Sequence, residues 1–467
     1  MTAVGTLDDG NWPGGRVGGA GSQGRRGAGG TGLDRELVRL VRDEVAELLA
    51  KRADTPDVGG AASGDEPGLT QTGWTLIGDV LNRRAAAAMG AGTQPLNREV
   101  EEQLARAVFD ELFGYGGFSP LLRNPDVENI DAIGCDRVWV RLFDGTRRQV
   151  GPVAGSDAEL VDLVRKIATR TGEQERRFDR GVPRLSVQLP DGSRLFAVMA
   201  VSRRPSVSIR RHRYPTTTLR ELQRLGTVDA GLREFLGALV RARKNILVAG
   251  GTNLGKTTML RALAAEIPPH ERLVTIEDAY ELGLDRDEDR HPNVVALQAR
   301  EPNIEGEGEI TQAELVKWAL RMSPDRVIVG EIRGPEVIPM CNAMSQGNDG
   351  SMATIHASDS RGVFTKLASY AVQAAERLPL EATNLLVANA VDVVVHLAWA
   401  RDVRVVSSLR EVVDAEGTMV TSNEVYRPGR DGRAVPGVPV RAELLEDLVQ
   451  VGLDPAVLHR PDGWWPR

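Results

Sequence analysis

The sequence predicts an α/β protein in which a parallel sheet covered by helices follows a smaller α+β domain. Beyond about residue 217, short β-branched runs alternate with helical stretches, which is typical of a parallel sheet. Between about residues 73 and 214, helices alternate with short hairpins, which indicates one compact α+β domain. A length of 467 residues is enough for two or three domains.

Composition narrows the class of protein. The formal net charge of -7 gives no overall attraction to nucleic acid, so no nucleic-acid partner is expected. The two cysteines, Cys135 and Cys341, form no zinc or disulfide pattern, which fits a reducing cytoplasm. No apolar run reaches the roughly 18 to 20 residues of a membrane span. We therefore expect a cytoplasmic protein whose association with a membrane is indirect.

The first 72 residues predict an arm, one helix and a linker. Residues 1–32 are dominated by glycine with scattered arginine and cannot offset the entropy of ordering, so a disordered arm is expected. Asp34 can act as the N-cap of an amphipathic helix, and a polar, Gly-rich connector follows it, so residues 33–72 are read as helix and flexible linker. This helix could dock on another protein or pack on its own domain.

The α+β domain is predicted over residues 73–214. The segment LNREVEEQLARAVFDELFG has the apolar period of a helix and ends at Gly114. Two hairpins are expected to turn at Asp144-Gly145 and at Asp191-Gly192, because Asp-Gly pairs between alternating runs favour tight turns. Another helix, AELVDLVRKIATRTG, lies between the hairpins.

The α/β domain is predicted over residues 215–435. Its strands are the runs NILVAG, RLVTIED, NVVALQA, DRVIVGE, SMATIHA and VDVVVHL. Helical stretches such as TTMLRALAAEI and TQAELVKWALRM lie between them. An antiparallel extension is expected after Ala400, and the tail of residues 436–467 contains a short helix at RAELLEDLVQVG.

A phosphate-binding loop is the clearest chemical motif. Gly250, Gly255, Lys256 and Thr257 fit G-x-x-x-x-G-K-[ST] between an apolar strand and a helix. In such a loop backbone N–H groups face a phosphate, the lysine lies near the β- and γ-phosphates, and the hydroxyl binds Mg²⁺. ATP and Mg²⁺ are therefore the expected ligands. The predicted binding residues are Gly250, Gly251, Thr252, Asn253, Leu254, Gly255, Lys256, Thr257 and Thr258. Asn253 and Leu254 occupy variable positions and are expected to place a larger side chain beside the phosphates.

Acidic residues end two of the predicted strands. Glu277 and Asp278 follow LVTI, and Glu331 follows RVIVG, at the sheet edge where ligands collect. A carboxylate there can orient a water molecule or bind Mg²⁺, so Thr257, Glu277 and Glu331 are the predicted metal-binding residues. Asp278 by itself is better explained as a helix cap or a solvated loop acid.

These motifs, in this order, resemble those of the type II/IV secretion ATPases, especially the CpaF-like branch that drives tight-adherence pilus assembly. The segments are GGTNLGKTT, LVTIEDAYEL, LQAREPNIEGEGEIT, ALRMSPDRVIVGEIRG and GNDGSMATIHA, within a likeness that runs from about residue 96 to 430. The resemblance implies a subunit of a homo-hexameric ring, with a RecA-like P-loop motor domain behind an N-terminal domain that closes over the nucleotide. It also implies ATP hydrolysis that acts on an integral-membrane platform protein at the inner face of the cell membrane.

The resemblance also suggests residue roles. Glu331 would be the Walker B glutamate that activates water, Glu277 the Asp-box glutamate, and His356 the second histidine of the His box. His356 alone would more simply be a hydrogen-bonded core residue. Asn348 stands where the family commonly has the first histidine, and it cannot carry a proton. Either that histidine is dispensable or hydrolysis is coupled to motion more weakly here.

Arginines supply the remaining candidates. Arg194 and Arg210 match the family positions from which the N-terminal domain reaches the nucleotide phosphates, where fixed positive charge stabilises phosphoryl transfer. A solvated basic face or a nucleic-acid patch are the simpler readings of this Arg-rich stretch. Arg300 and Arg333 are weaker candidates for the same task or for pairing between subunits.

Three other functions are weighed against a motor. A nucleotide-gated scaffold with weak or no turnover is suggested by Asn348 and by the altered loop centre. A DNA-translocating motor is disfavoured by the negative net charge. A small-molecule kinase is disfavoured because no acceptor-binding lid is apparent in the sequence.

Overall fold

The computed structural model describes most of the chain. The described residues are 34–53, 66–170, 177–211, 217–300, 302 and 306–459. The predicted arm lies outside them, as does most of the predicted connector, residues 54–65. The chain divides into two compact units, Met1–Gly117 with Gln149–Pro152 and Phe118–Arg148 with Val153–Arg467.

The first unit contains three packed helices, α1 (Arg35–Ala53), α2 (Glu66–Gly90) and α3 (Arg98–Leu112). Apolar residues of all three form one core, so α1 packs within its own unit, which was one of the alternatives for it. The N-cap prediction is confirmed, because the Asp34 carboxylate accepts a hydrogen bond of 2.9 Å from the Glu36 N–H.

Helix α2 runs across residue 73, where the predicted α+β domain begins. Residues 66–72, predicted to be linker, therefore belong to this helix, and Gly73 lies inside it. A Cβ added to Gly73 would lie 2.3 Å from the Phe113 ring, so the glycine allows α2 and α3 to approach closely. The division of the chain into domains stays a prediction.

A six-stranded sheet comes next along the chain, in the order β3-β2-β1-β6-β5-β4. Its elements are α4 (Ser119–Arg123), β1 (Val127–Ile133), β2 (Arg137–Leu142), β3 (Arg147–Val150), α5 (Asp157–Arg170), β4 (Arg184–Gln188), β5 (Arg194–Val198) and β6 (Ser206–Arg210). Strand β1 pairs antiparallel with β2 and β6, and β5 pairs antiparallel with β4 and β6. Both predicted Asp-Gly turns are confirmed, with positive φ at Gly145 and Gly192.

A nine-stranded sheet follows, in the order β15-β14-β13-β12-β7-β11-β10-β8-β9. Its strands are β7 (Ile246–Gly250), β8 (Leu273–Glu277), β9 (Val294–Gln298), β10 (Arg326–Ile332), β11 (Met352–Ile355), β12 (Val393–Ala400), β13 (Val403–Glu416), β14 (Met419–Pro428) and β15 (Ala434–Pro436). The six strands β7–β12 pair in parallel, and β13–β15 extend the sheet antiparallel. The predicted α/β fold is therefore confirmed.

Helices cover both faces of this sheet. They are α6 (Leu219–Arg224), α7 (Ala230–Arg241), α8 (Lys256–Ala264), α9 (Gln312–Ala319), α10 (Val337–Ser345), α11 (Gly362–Gln373), α12 (Leu380–Ala390) and α13 (Ala442–Gln450). Alternate residues of β7 point into two separate cores: Ile246 and Val248 pack with α6–α8 and α13, whereas Leu247 and Ala249 pack with α9–α12. No described helix is both long enough and apolar enough to span a bilayer.

A buried ion pair holds the amino end of the parallel sheet. The Arg326 side chain is fully buried at the start of β10 and donates to both carboxylate oxygens of Glu271 at 2.8 Å. Arg326 also donates to the Val240 carbonyl at the end of α7. A Cβ on Gly350 would lie 2.5 Å from the guanidinium, so this glycine, with φ +86°, makes room for it. The pair thus joins α7, β10 and the loop before β11.

Replacing Glu271 by glutamine should destabilise the protein by about 3 to 5 kcal/mol, because it leaves the buried Arg326 charge without its counter-ion. Urea unfolding followed by circular dichroism measures this change. Glu266→Gln is the matched control, since Glu266 forms a partly exposed pair with Arg241 and should cost less than about 1 kcal/mol. Equal costs for the two variants would contradict the structural role of Arg326.

Candidate nucleotide-binding site

The phosphate loop joins the end of β7 to the start of α8. Gly250 has φ +155° and Gly255, the N-cap residue of α8, has φ +85°. A Cβ on Gly250 would lie 3.0 Å from the Leu397 carbonyl oxygen, so the close approach of β12 requires glycine there. Asn253 has φ +63°, a left-handed conformation that asparagine tolerates better than most residues. The loop therefore has the backbone curl that phosphate binding needs.

Leu254 lines the site and also packs against the body of the domain. Its side chain is 8% exposed and belongs to the apolar core beneath the sheet. Leu254 therefore anchors the loop to the body of the domain, because a buried leucine resists displacement from an apolar core.

One cavity of about 210 Å³ brings the predicted residues together at the carboxyl edge of the parallel sheet. Its lining includes all six predicted catalytic side chains, which come from the phosphate loop, β8, β10, the end of β11 and the six-stranded sheet. They are Lys256, Glu277, Glu331, His356, Arg194 and Arg210. Most of the loop, Thr252 to Thr258, lines the same cavity.

Lys256 lines this cavity and is buried. Its Nζ donates to the Gly251 carbonyl at 3.1 Å and lies 4.0 Å from a carboxylate oxygen of Glu331. Nζ is also 3.2 Å from each ring nitrogen of His356. Burial lowers the pKa of Lys256, and the Glu331 charge opposes that shift.

Glu331 is surrounded by basic groups. Its Oε1 lies 2.7 Å from Nε2 of His356, a contact that is a hydrogen bond when Nε2 carries the proton. The Arg333 guanidinium binds the other oxygen of Glu331 and also pairs with Asp278 at 2.9 Å. Burial lowers the pKa of His356, and the nearby Lys256 and Arg333 charges add to this, whereas the Glu331 charge opposes it. His356 is therefore mainly neutral near pH 7.

Glu277 is more deeply buried than Glu331, with 3% of its surface exposed. One oxygen accepts backbone hydrogen bonds from Glu281 and Leu282, at 2.9 and 2.8 Å. Burial raises the pKa of Glu277 from its usual 4.5 to about 7, and those hydrogen bonds oppose the shift. One oxygen of Glu277 thus holds the loop after β8 in place. The other oxygen is available to bind a ligand in the cavity.

The two arginines enter the cavity from the six-stranded sheet. Arg194 on β5 and Arg210 on β6 are direct cross-strand neighbours. The Arg194 guanidinium lies 3.3 Å from the Glu281 carboxylate, and the Gln188 side chain donates to the Tyr280 carbonyl. The loop that Glu277 shapes is therefore the place where this sheet touches the rest of the site.

The residues present fit a magnesium ion that is held mainly by phosphate. Among the described residues, no group of three or more His, Cys, Asp and Glu could hold a metal by itself. Mg²⁺ bound to a nucleotide needs only one or two protein ligands, because phosphates and water supply the others. Thr257, the free oxygen of Glu277, and Glu331 line the cavity and could serve.

Other residues of interest lie differently. Asn348 is not a cavity residue in the described part of the chain, since its amide donates to the Pro324 carbonyl at 2.6 Å, just before β10. This hydrogen bond joins the loop before β11 to the loop before β10, at the opposite end of the parallel strands from His356. Arg300 donates to the Gly308 carbonyl and does not line the cavity either, whereas Arg333 does.

Four polar residues of the cavity were not predicted from the sequence: Arg261, Glu281, Gln312 and Thr354. Gln312 donates to the Asp278 carboxylate at 2.6 Å, and the Arg261 Nε donates to the Leu282 carbonyl at 2.7 Å. Of these residues, only Gln312 could have been found from the sequence. Thr311 and Glu314 on either side of it form a capping box, a pattern that predicts the start of a helix at this position.

Comparisons with known proteins agree on one family. Residues 141–435 match the sequence model of the family described as type II/IV secretion system protein. A Mycobacterium tuberculosis protein named provisionally for conjugal transfer is 36% identical over 304 residues, 63% of this chain and 83% of that protein. The type IV secretion system protein PtlH of Bordetella pertussis is 32% identical over 306 residues, 59% of this chain and 86% of its own.

Among solved structures, this chain is similar to the VirB11 ATPase of the Brucella suis type IV secretion system, crystallised with sulphate. The two are 27% identical with a TM-score of 0.34, over 63% of this chain and 94% of that one. The assignment does not depend on this likeness, because the family match covers more than half of the sequence. The chain belongs to the type II/IV secretion system protein family.

Proposed function

We propose that this protein is an ATP-hydrolysing, hexameric motor that powers tight-adherence pilus assembly, or secretion, through a platform protein in the cytoplasmic membrane. The observation that carries the proposal is the convergence of Lys256, Glu331 and two arginines of a separate sheet on one cavity. Relatives named for type IV secretion and conjugal transfer support the class of machine. The protein would work in the cytoplasm, held at the membrane by its partners.

Glu331 is the residue best placed to act on the attacking water. It lies at the end of β10, near Lys256 and His356, so its carboxylate can accept a proton beside the γ-phosphate position. Lys256 and the backbone N–H groups of the loop would hold the phosphates. Mg²⁺, when bound by Thr257 with Glu277 or Glu331, would neutralise charge on the β- and γ-phosphates.

Arg194 and Arg210 would link hydrolysis to movement. Both guanidinium groups line the cavity but belong to the six-stranded sheet. They would stabilise the charge that develops on the transferred phosphoryl group. Loss of the γ-phosphate would remove the anion that holds them, so the sheet could change position with nucleotide state.

A second candidate is a nucleotide-gated scaffold with weak turnover. The altered loop centre and Asn348 suggested it: Asn253 and Leu254 line the cavity, whereas Asn348 bonds Pro324 outside it. The convergence of Lys256, Glu331 and the two arginines favours the motor, and turnover decides between the two.

Steady-state phosphate release should fall at least about 100-fold in Glu331→Gln, because this change removes a general base. Lys256→Ala should lower it comparably by weakening phosphate binding. Glu309→Gln is the matched control, since Glu309 is exposed and does not line the cavity, and it should keep wild-type turnover. A wild-type rate no higher than that of the Glu331 variant would favour the scaffold.

Arg210→Gln should lower kcat at least about 10-fold with a smaller effect on KM, because the lost charge acts mainly on the transition state. Arg137→Gln is the control, since Arg137 is an exposed arginine on β2 of the same sheet. If Arg210→Gln changed KM alone, Arg210 would hold the substrate rather than the transition state.

The stability of the protein should depend on pH through Glu277. Its folded-state pKa is raised to about 7, so the folded state binds more protons than the unfolded state between about pH 4.5 and 7. The free energy of unfolding should therefore fall as pH rises through this window, by up to about 3 kcal/mol from this group.

Glu277→Gln should remove that dependence, so the variant gains stability relative to the wild type as pH rises. Calorimetric melting from pH 5 to 8 measures the free energy of unfolding of both proteins. Glu443→Gln is the control, because Glu443 lies on the exposed face of α13. Its free energy of unfolding should differ from that of the wild type by the same amount at every pH. A constant difference for Glu277→Gln as well would mean that Glu277 is ionised throughout.

A further inference from the structure

The β12–β13 hairpin extends past the phosphate loop on one side. Strand β12 runs parallel to β7 with Leu397 opposite Gly250, the last residue of β7. Trp399 is two residues further on, roughly 7 Å beyond the end of β7. The chain then turns at Arg401-Asp402, and Arg404 on β13 faces Trp399 across the hairpin. The hairpin tip therefore stands beside the loop, above the carboxyl edge of the sheet.

Trp399 and Arg404 form a stacked pair next to α8. The Arg404 guanidinium carbon lies 5.1 Å from the centre of the Trp399 ring. A Cβ on Gly255 would lie 3.8 Å from the Arg404 Cδ and 3.9 Å from the Thr258 Cβ. The stem of Arg404 thus lies against the first turn of α8, next to the loop.

Trp399 and Arg404 can make contacts with a ligand, because parts of both side chains have no partner within the described protein. The Arg404 Nε is buried and has no hydrogen-bond partner. Within the described residues, Arg404 also forms no ion pair with a carboxylate. Trp399 is 51% exposed. The half-exposed indole therefore leaves one apolar face that a flat ligand could cover, with the Arg404 guanidinium beside it.

The loop sets the direction in which a nucleotide would lie. Glu331 and His356 lie on β10 and after β11, on one side of β7, and mark the γ-phosphate end. Strand β12 lies on the other side of β7. Because Lys256 approaches the β- and γ-phosphates, the α-phosphate and the nucleoside extend away from Glu331, toward the hairpin.

We propose that Trp399 and Arg404 form the platform on which the base of the nucleotide stacks, and that the platform favours purines. This rests on the proposed binding of a nucleoside triphosphate at the loop. An indole ring and a guanidinium plane both stack on bases, and a purine offers the larger face.

The platform is held rigidly by the sheet. The Val406 N–H, two residues after Arg404, donates to the Thr227 carbonyl at 2.9 Å. Val405 and Val406 are fully buried, and β13 also pairs with β14. The hairpin therefore needs little ordering when a base binds, which keeps the entropic cost of stacking low.

The test compares the binding of ADP, CDP and inorganic tripolyphosphate to the full chain by calorimetry. In Trp399→Ser the affinity for ADP should fall about 10-fold, while that for tripolyphosphate, which has no base, should change less than about 2-fold. The preference of the wild type for ADP over CDP should almost disappear. Trp399→Phe should keep most of that preference, because phenylalanine still stacks.

Two further variants separate the platform from general damage. Arg404→Lys keeps the positive charge but removes the planar guanidinium group. It should therefore reduce the preference for ADP over CDP without lowering the affinity for tripolyphosphate. Trp318→Ser is the matched control, since Trp318 is 45% exposed on α9, a helix that packs on β8 and β9 rather than on the β12–β13 hairpin. It should leave all three affinities unchanged.

The platform would be overturned if Trp399→Ser weakened ADP and tripolyphosphate equally, because the hairpin would then only support the loop. Unchanged ADP affinity in that variant would overturn it as well. A wild type that binds tripolyphosphate but shows no preference for ADP over CDP would remove the platform and leave the proposed ATPase intact. A wild type that binds none of the three ligands would instead overturn the proposed function, and the platform with it.

Discussion

The parallel pairing of the central strands is the constraint on which the whole site depends. Ile355 of β11 pairs with Ala249 of β7, and Val329 of β10 pairs with Ile276 of β8. This register brings the carboxyl ends of four strands to one edge, each followed by a residue of the cavity. A slip of one residue in any strand would exchange its two apolar faces between the two cores, so packing on both sides holds the register.

Charge balance is the second organising feature of the site. Arg333 binds one oxygen of Glu331, His356 Nε2 lies 2.7 Å from the other, and Lys256 lies close by. Each of these basic groups can also bind phosphate, so an entering triphosphate would compete with Glu331 for them. That exchange would free the carboxylate when the substrate is in place. The same loop that touches Arg194 is shaped by Glu277, so changes at the phosphates can reach the six-stranded sheet.

Three residues show what a residue type leaves open when its packing is unknown. Gly73, at the predicted start of the α+β domain, lies inside α2, where its missing Cβ leaves space for the Phe113 ring. Leu254 lines the cavity, and its side chain also packs in the apolar core. Asn348, in the loop before β11, bonds the Pro324 carbonyl before β10. In each case, the partner is distant in sequence and carries no local pattern.

The sequence by itself determined the strands, their α/β class, both Asp-Gly turns and the phosphate loop, because these depend on local period and backbone conformation. It also identified the acidic strand ends, since parallel strands share their carboxyl edge. Only the tertiary structure decided which side chains meet. The Arg326–Glu271 pair, the contact of Arg194 with Glu281 and the stacking of Arg404 on Trp399 all join residues from separate elements. Such contacts depend on how elements pack in space, which no spacing along the chain encodes.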